Sequence, residues 1–205
     1  MPLWAAAAAI GGTLLSIKSL GILLSNVQPE YAFELAPFFF GVATVGVAGT
    51  WENLRPDPGW RLRSVAWLAA AAGALAAIAY IAQGDEGIFG VAATAAMLSV
   101  VVVLLSTGRE IWESRLMGEW SVLPWVVGWL MLGTVPIGGA LAALEERLLE
   151  VPLLAVGLAW IALGVSNAWP WQGGGGSLLP VESRRVLKSR NESATRENNP
   201  FNPSS

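Results

Sequence analysis

The sequence predicts an all-α, polytopic integral membrane protein: a compact bundle of six transmembrane helices with both termini in the cytoplasm. Three observations carry this. First, 54% of the 205 residues are hydrophobic and 13% charged, with a mean hydropathy of +0.55, whereas a soluble domain carries about 25% charged residues. Second, six apolar runs reach the roughly 20 residues that a helix needs to cross a hydrocarbon core of about 30 Å. Third, Lys and Arg are segregated between alternate connections. A soluble enzyme is excluded on these grounds.

The spans are placed at Leu3 to Leu24, Phe33 to Trp51, Ser64 to Gln83, Ile88 to Ser106, Val122 to Leu144 and Val151 to Trp169. Helices are favoured over barrel strands, because Ala66 to Ala82 and Val91 to Leu105 are apolar on every face, whereas a barrel strand alternates. The first span reads as a retained anchor. Met1 to Trp4 has no basic n-region, and the small residues Ala5 to Ala9 come first instead of last, opposite to a cleavable signal. Of the charged residues, only Lys18 and Glu34 fall inside spans, as the cost of an intramembrane charge requires.

In span three, Ala69, Gly73 and Ala77 recur every four residues, as do Gly138 and Ala142 in span five. Small residues at that spacing let helices approach closely, and packing inside the monomer is favoured over a dimer seam. Pro124 falls in the first turn of span five, where it is tolerated, whereas Pro136 should kink the helix or leave a carbonyl unpaired. Connections such as Gly84 to Gly87 are short, so consecutive helices should be antiparallel neighbours.

Orientation follows from Lys and Arg. Arg55, Arg61 and Arg63, then Arg109 and Arg115, then Arg184, Arg185, Lys188, Arg190 and Arg196 fall on one side. The opposite connections hold Arg147 with Glu30, Asp85, Glu86, Glu145, Glu146 and Glu150. Nine of the eleven Trp lie near the predicted cytoplasmic ends, where an indole ring favours the headgroup level, as in an aromatic belt.

Residues 1–171 form the transmembrane domain, and residues 172–205 read as a disordered, basic cytoplasmic tail. Gly173 to Gly176 with Ser177 is a flexible linker, and the Asn-, Ser- and Pro-rich end has no core-forming pattern. Arg184, Arg185, Lys188 and Arg190 set the orientation and can bind anionic lipid at about 1 kcal/mol per residue. Between spans four and five, Trp112, Leu116 and Trp120 share a helical stripe. This segment either lies along the interface or continues span four out of the membrane.

The candidate polar site is Lys18 with Glu34. Lys18 lies about 9 Å from the outer end of span one at 1.5 Å per residue, and Glu34 enters span two from the same side. Facing each other, they can bind a polar or ionic solute, relay a proton, or lock the first hairpin. Alternatively, Lys18 snorkels to water and Glu34 caps span two. Glu145, Glu146 and Glu150 read as exposed helix-end residues.

His and Cys are absent, which removes thiol nucleophiles, His bases and Cys/His metal sites. No catalytic residue, metal or cofactor is expected, and the Gly-rich stretch lacks the context of a nucleotide loop. Nucleic-acid binding is excluded, because the basic residues are scattered over three segments. Membrane lipids are the expected partners, together with another membrane protein or a second copy of the chain. Leu23-Leu24-Ser25 and Leu104-Leu105-Ser106 are too short a recurrence to make an inverted repeat. The expected function is therefore a non-enzymatic membrane component, a scaffold or accessory subunit. The alternative is a small-solute or ion carrier or channel built on Lys18 and Glu34.

Overall fold

The computed structural model describes residues 2–25, 27, 29, 31–52, 60–115 and 117–168. The chain divides into two units, Met1–Pro170 and Trp171–Ser205. All six long helices belong to the first, and the basic tail predicted as a lipid-binding segment lies outside the described residues. The helices are α1 (Leu3–Ser25), α2 (Ala32–Glu52), α3 (Trp60–Gln83), α4 (Glu86–Ser114), α5 (Leu123–Ala142) and α6 (Glu150–Ala168). Short 3-10 turns at Gly118–Val122 and Glu146–Leu149 precede α5 and α6. Each helix is long and apolar enough to cross a membrane, and each predicted span overlaps one of them.

The α3–α4 connection shows how local sequence sets the hairpin. Gly84 adopts φ +64°, a left-handed conformation that costs a residue without a Cβ little. Its N–H donates to the Tyr80 carbonyl and the Asp85 N–H to the Ala79 carbonyl, which closes α3. Asp85 then caps α4 by accepting from the Ile88 N–H at 2.9 Å. Two residues thus end one helix and start the next. Helix α5 is assigned as one continuous helix through Pro136, which supplies no N–H to the Leu132 carbonyl.

Consecutive helices pack side by side, α1 also packs against α6, and α2 touches α4 across the bundle. The helices therefore form a closed ring, with α2 the most buried and α5 the least. Sequence adjacency predicts the hairpins but not the α1–α6 contact that closes the ring.

Small residues set the crossings. A methyl group at Gly12 would lie 2.5 Å from the Gly157 carbonyl oxygen, and one at Gly164 would lie 2.6 Å from the Ala5 carbonyl oxygen. The Ala69, Gly73, Ala77 face is buried against α2, where a methyl at Gly73 would meet the Pro37 carbonyl at 2.6 Å. Phe40 and Trp160, both fully buried, stack with centroids 4.7 Å apart and join α2 to α6 in the core.

Candidate functional site

Lys18 and Ser19 lie near the end of α1, and Glu150 is the first residue of α6. The α1–α6 seam brings them together across 132 residues of sequence. Lys18 Nζ donates to Glu150 Oε1 at 2.5 Å, and Ser19 Oγ donates to Glu150 Oε2 at 2.9 Å. The pair is buried, with side-chain exposures of 9% and 6%. Lys18 Nζ stands 4.9 Å from the centre of the Phe33 ring on α2, within cation–π range. One ammonium thus ties three helices.

This geometry corrects two expectations. The ion-pair partner of Lys18 is Glu150, not Glu34. Glu150 is buried at 5% exposure, unlike Glu145 and Glu146, which are exposed as expected. The reason is the seam: α6 lies against α1, and its first residue meets the level of Lys18. The seam has a sequence signature. Ala5, Ala9, Gly12, Ser16 and Ser19 follow a 4-3-4-3 spacing in α1, and Gly157 and Gly164 are seven residues apart in α6.

Glu34, in the first turn of α2, is only 4% exposed, and its Oε2 has no hydrogen-bond partner. Ser16 Oγ and Trp160 Nε1 are likewise buried without a partner. The α1–α2 register fixes where Glu34 stands. Phe33 lies beside Lys18, and a methyl at Gly11 would meet the Phe40 ring at 2.9 Å, so seven residues down one helix match seven up the other. Glu34 is therefore level with Ile17, but it shares the face of Gly41, seven residues further along α2, which lies against Ala69 and Ala70 of α3. Lys18 and Glu150 form a buried ion pair at the α1–α6 seam, and Glu34 is a separate buried carboxyl group.

The 109–122 segment follows the second of its two expected forms in part. Helix α4 continues as far as Ser114 and is ended by Arg115 at φ +51°. Trp112 is on α4 and Trp120 on the following 3-10 turn, so they do not share one helical stripe, and Leu116 lies outside the described residues. Trp112 instead stacks on Trp125 of α5 at 5.5 Å. Trp51, expected in the headgroup belt, is buried at 3% exposure, and its Nε1 donates to Glu110 Oε2 at 2.7 Å. Among the described residues, no group of three or more acidic side chains is placed to hold a metal ion.

Comparison of the chain with protein-family models, with curated proteins and with solved structures finds no match. The Lys18–Glu150 pair, the buried Glu34 and the ring of helices therefore stand on their own chemistry.

Proposed function

We propose that this chain is a multi-pass protein of the cytoplasmic membrane, with both termini on the cytoplasmic side. It acts without catalysis as a scaffold or accessory component, packing against another membrane protein or lipid. Six apolar helices support insertion, and the segregation of Lys and Arg supports the orientation. The observation that carries the functional reading is the state of Lys18. Its ammonium is committed to Glu150 and to the Phe33 ring, so the candidate solute-binding cation is a fastener between helices. Reactive groups are scarce, and the apolar surface is extensive. The least buried helix, α5, forms with α6 a groove of about 590 Å³ lined by Trp125, Trp129, Leu130, Ile137, Val151 and Pro152. Such a surface suits an acyl chain or a neighbouring helix. The carrier or channel alternative rests on Glu34 alone, whose unpaired oxygen keeps it open.

Purification from native membranes in mild detergent, followed by mass spectrometry of co-purifying proteins, lipids and small molecules, tests this. A stoichiometric protein or lipid partner is expected. A lone protein carrying one bound polar solute would overturn the scaffold reading.

A further inference from the structure

We infer that the groove between α5 and α6 is a binding site for one uncharged, long-chain lipid of the isoprenoid-alcohol class, its hydrocarbon chain running along α5 through both leaflets. The inference rests on the membrane-spanning reading and narrows its partner: of a hydrocarbon chain and a neighbouring helix, the groove fits the chain. Trp125, Trp129, Gly133, Ile137 and Leu141 line it at every fourth residue, so it follows successive turns of α5 for about 24 Å. Val151, Pro152 and Ala155 of α6 form the opposite wall. A volume of about 590 Å³ over that length leaves a channel about 6 Å across, roughly half the 10–12 Å diameter of a helix with its side chains. Eleven residues line the groove, whereas a stable protein–protein interface takes about 20–30 on each side. A helix or a second copy of the chain would bridge this groove, not fill it.

Charge selects the head group. None of the lining residues is ionisable, and the Thr134 hydroxyl is spent on the Leu130 carbonyl at 2.8 Å. The indole N–H groups of Trp125 and Trp129, both toward one end, are the other polar side-chain groups of the lining, and they suit an uncharged acceptor such as a hydroxyl. A phospholipid phosphate finds no cation in the groove. Length selects the chain. One leaflet is about 15 Å deep, half of the roughly 30 Å hydrocarbon core, so an ordinary acyl chain entering at Trp125 ends about ten residues along α5. The groove continues to Leu141. Long-chain isoprenoid alcohols join a chain longer than one leaflet to a single small uncharged head. Trp129 and Ile137 are half exposed, so such a chain enters sideways from the bilayer without opening the bundle.

The test uses the full chain in mild detergent, with undecaprenol as probe and farnesol, a short chain with the same head group, as control. Native mass spectrometry should show one undecaprenol per protein. Farnesol should bind about tenfold or more weakly, because it buries fewer methylene groups, and this comparison needs no variant. Gly133→Leu fills the middle of the groove and should weaken undecaprenol binding by a similar factor. It should still fold, since a methyl at Gly133 meets Ile137 Cδ1 alone, at an ordinary 3.5 Å. Gly139→Leu, which projects from α5 into open space outside the groove, should bind as the wild type does. Four results would overturn the site: no undecaprenol retained; equal binding of the two chains; binding undiminished in Gly133→Leu; or a stoichiometric phospholipid that undecaprenol does not displace. A protein seated on the Trp125 to Leu141 stripe would also overturn it while leaving the scaffold reading standing. Release of the chain from membranes by alkaline carbonate would contradict the membrane reading itself, and the site with it.

Discussion

Lys18 and Glu150 are two buried charges whose value depends on each other. Bringing both out of water is costly, and their attraction together with the Ser19 hydrogen bond offsets that cost. Removing one partner leaves the other buried and unpaired. Lys18→Met should therefore destabilise the protein by about 3–5 kcal/mol, whereas Lys18→Met with Glu150→Leu should recover most of the loss. Thermal unfolding of both variants in one detergent checks this, and equal destabilisation of single and double variants would contradict the fastener role. The sequence exposes Lys18 plainly, because a lone Lys in an apolar run is conspicuous. Glu150 is hidden, since a Glu just outside an apolar run resembles any solvated helix end, and only the approach of α6 to α1 buries it. Trp51 misleads in the same way. Its place at a span end suggests an interfacial indole, but Glu110 on α4 offers its carboxylate and draws the ring inside.

Between helices surrounded by lipid there is little hydrophobic driving force, so close van der Waals packing sets which faces meet. The α1–α6 seam shows this, with Gly12 against the Gly157 backbone and Gly164 against Ala5 and Ala9. Gly12→Ala should cost about 1–3 kcal/mol, because the added methyl meets a backbone carbonyl that cannot rotate away. Gly139→Ala on α5 has no neighbour within 4 Å and should be neutral or stabilise by up to about 1 kcal/mol through helix propensity. Circular dichroism melts of the two variants separate packing from propensity, and equal effects would contradict the seam. Helix existence is legible from the sequence, since each apolar run coincides with a helix, and so is the Gly84–Asp85 turn. The end of α4 is not, because the Trp112, Leu116, Trp120 spacing continues a helical pattern that the left-handed turn at Arg115 interrupts.

The whole molecule is a ring of six helices in which the first and last are neighbours. A chain of hairpins leaves its end helices free to separate. Here the seam and the buried ion pair hold them together, and α5 is left as the most exposed helix. This arrangement underlies the proposed function: α5 and α6 offer surface to a partner, while the Lys18–Glu150 pair is enclosed at the α1–α6 seam. The chain contains no cysteine, so a disulfide can test ring closure directly in membranes. A methyl at Gly157 would lie 2.5 Å from Ser16 Oγ, so the two positions face each other within reach of a disulfide. On oxidation, Ser16→Cys with Gly157→Cys should form an intramolecular cross-link in most molecules, seen by mass spectrometry of the joined α1 and α6 peptides. Ser16→Cys with Thr94→Cys, on the exposed face of α4, should form none. Failure of the first pair to cross-link, or equal cross-linking of both, would contradict the closed ring.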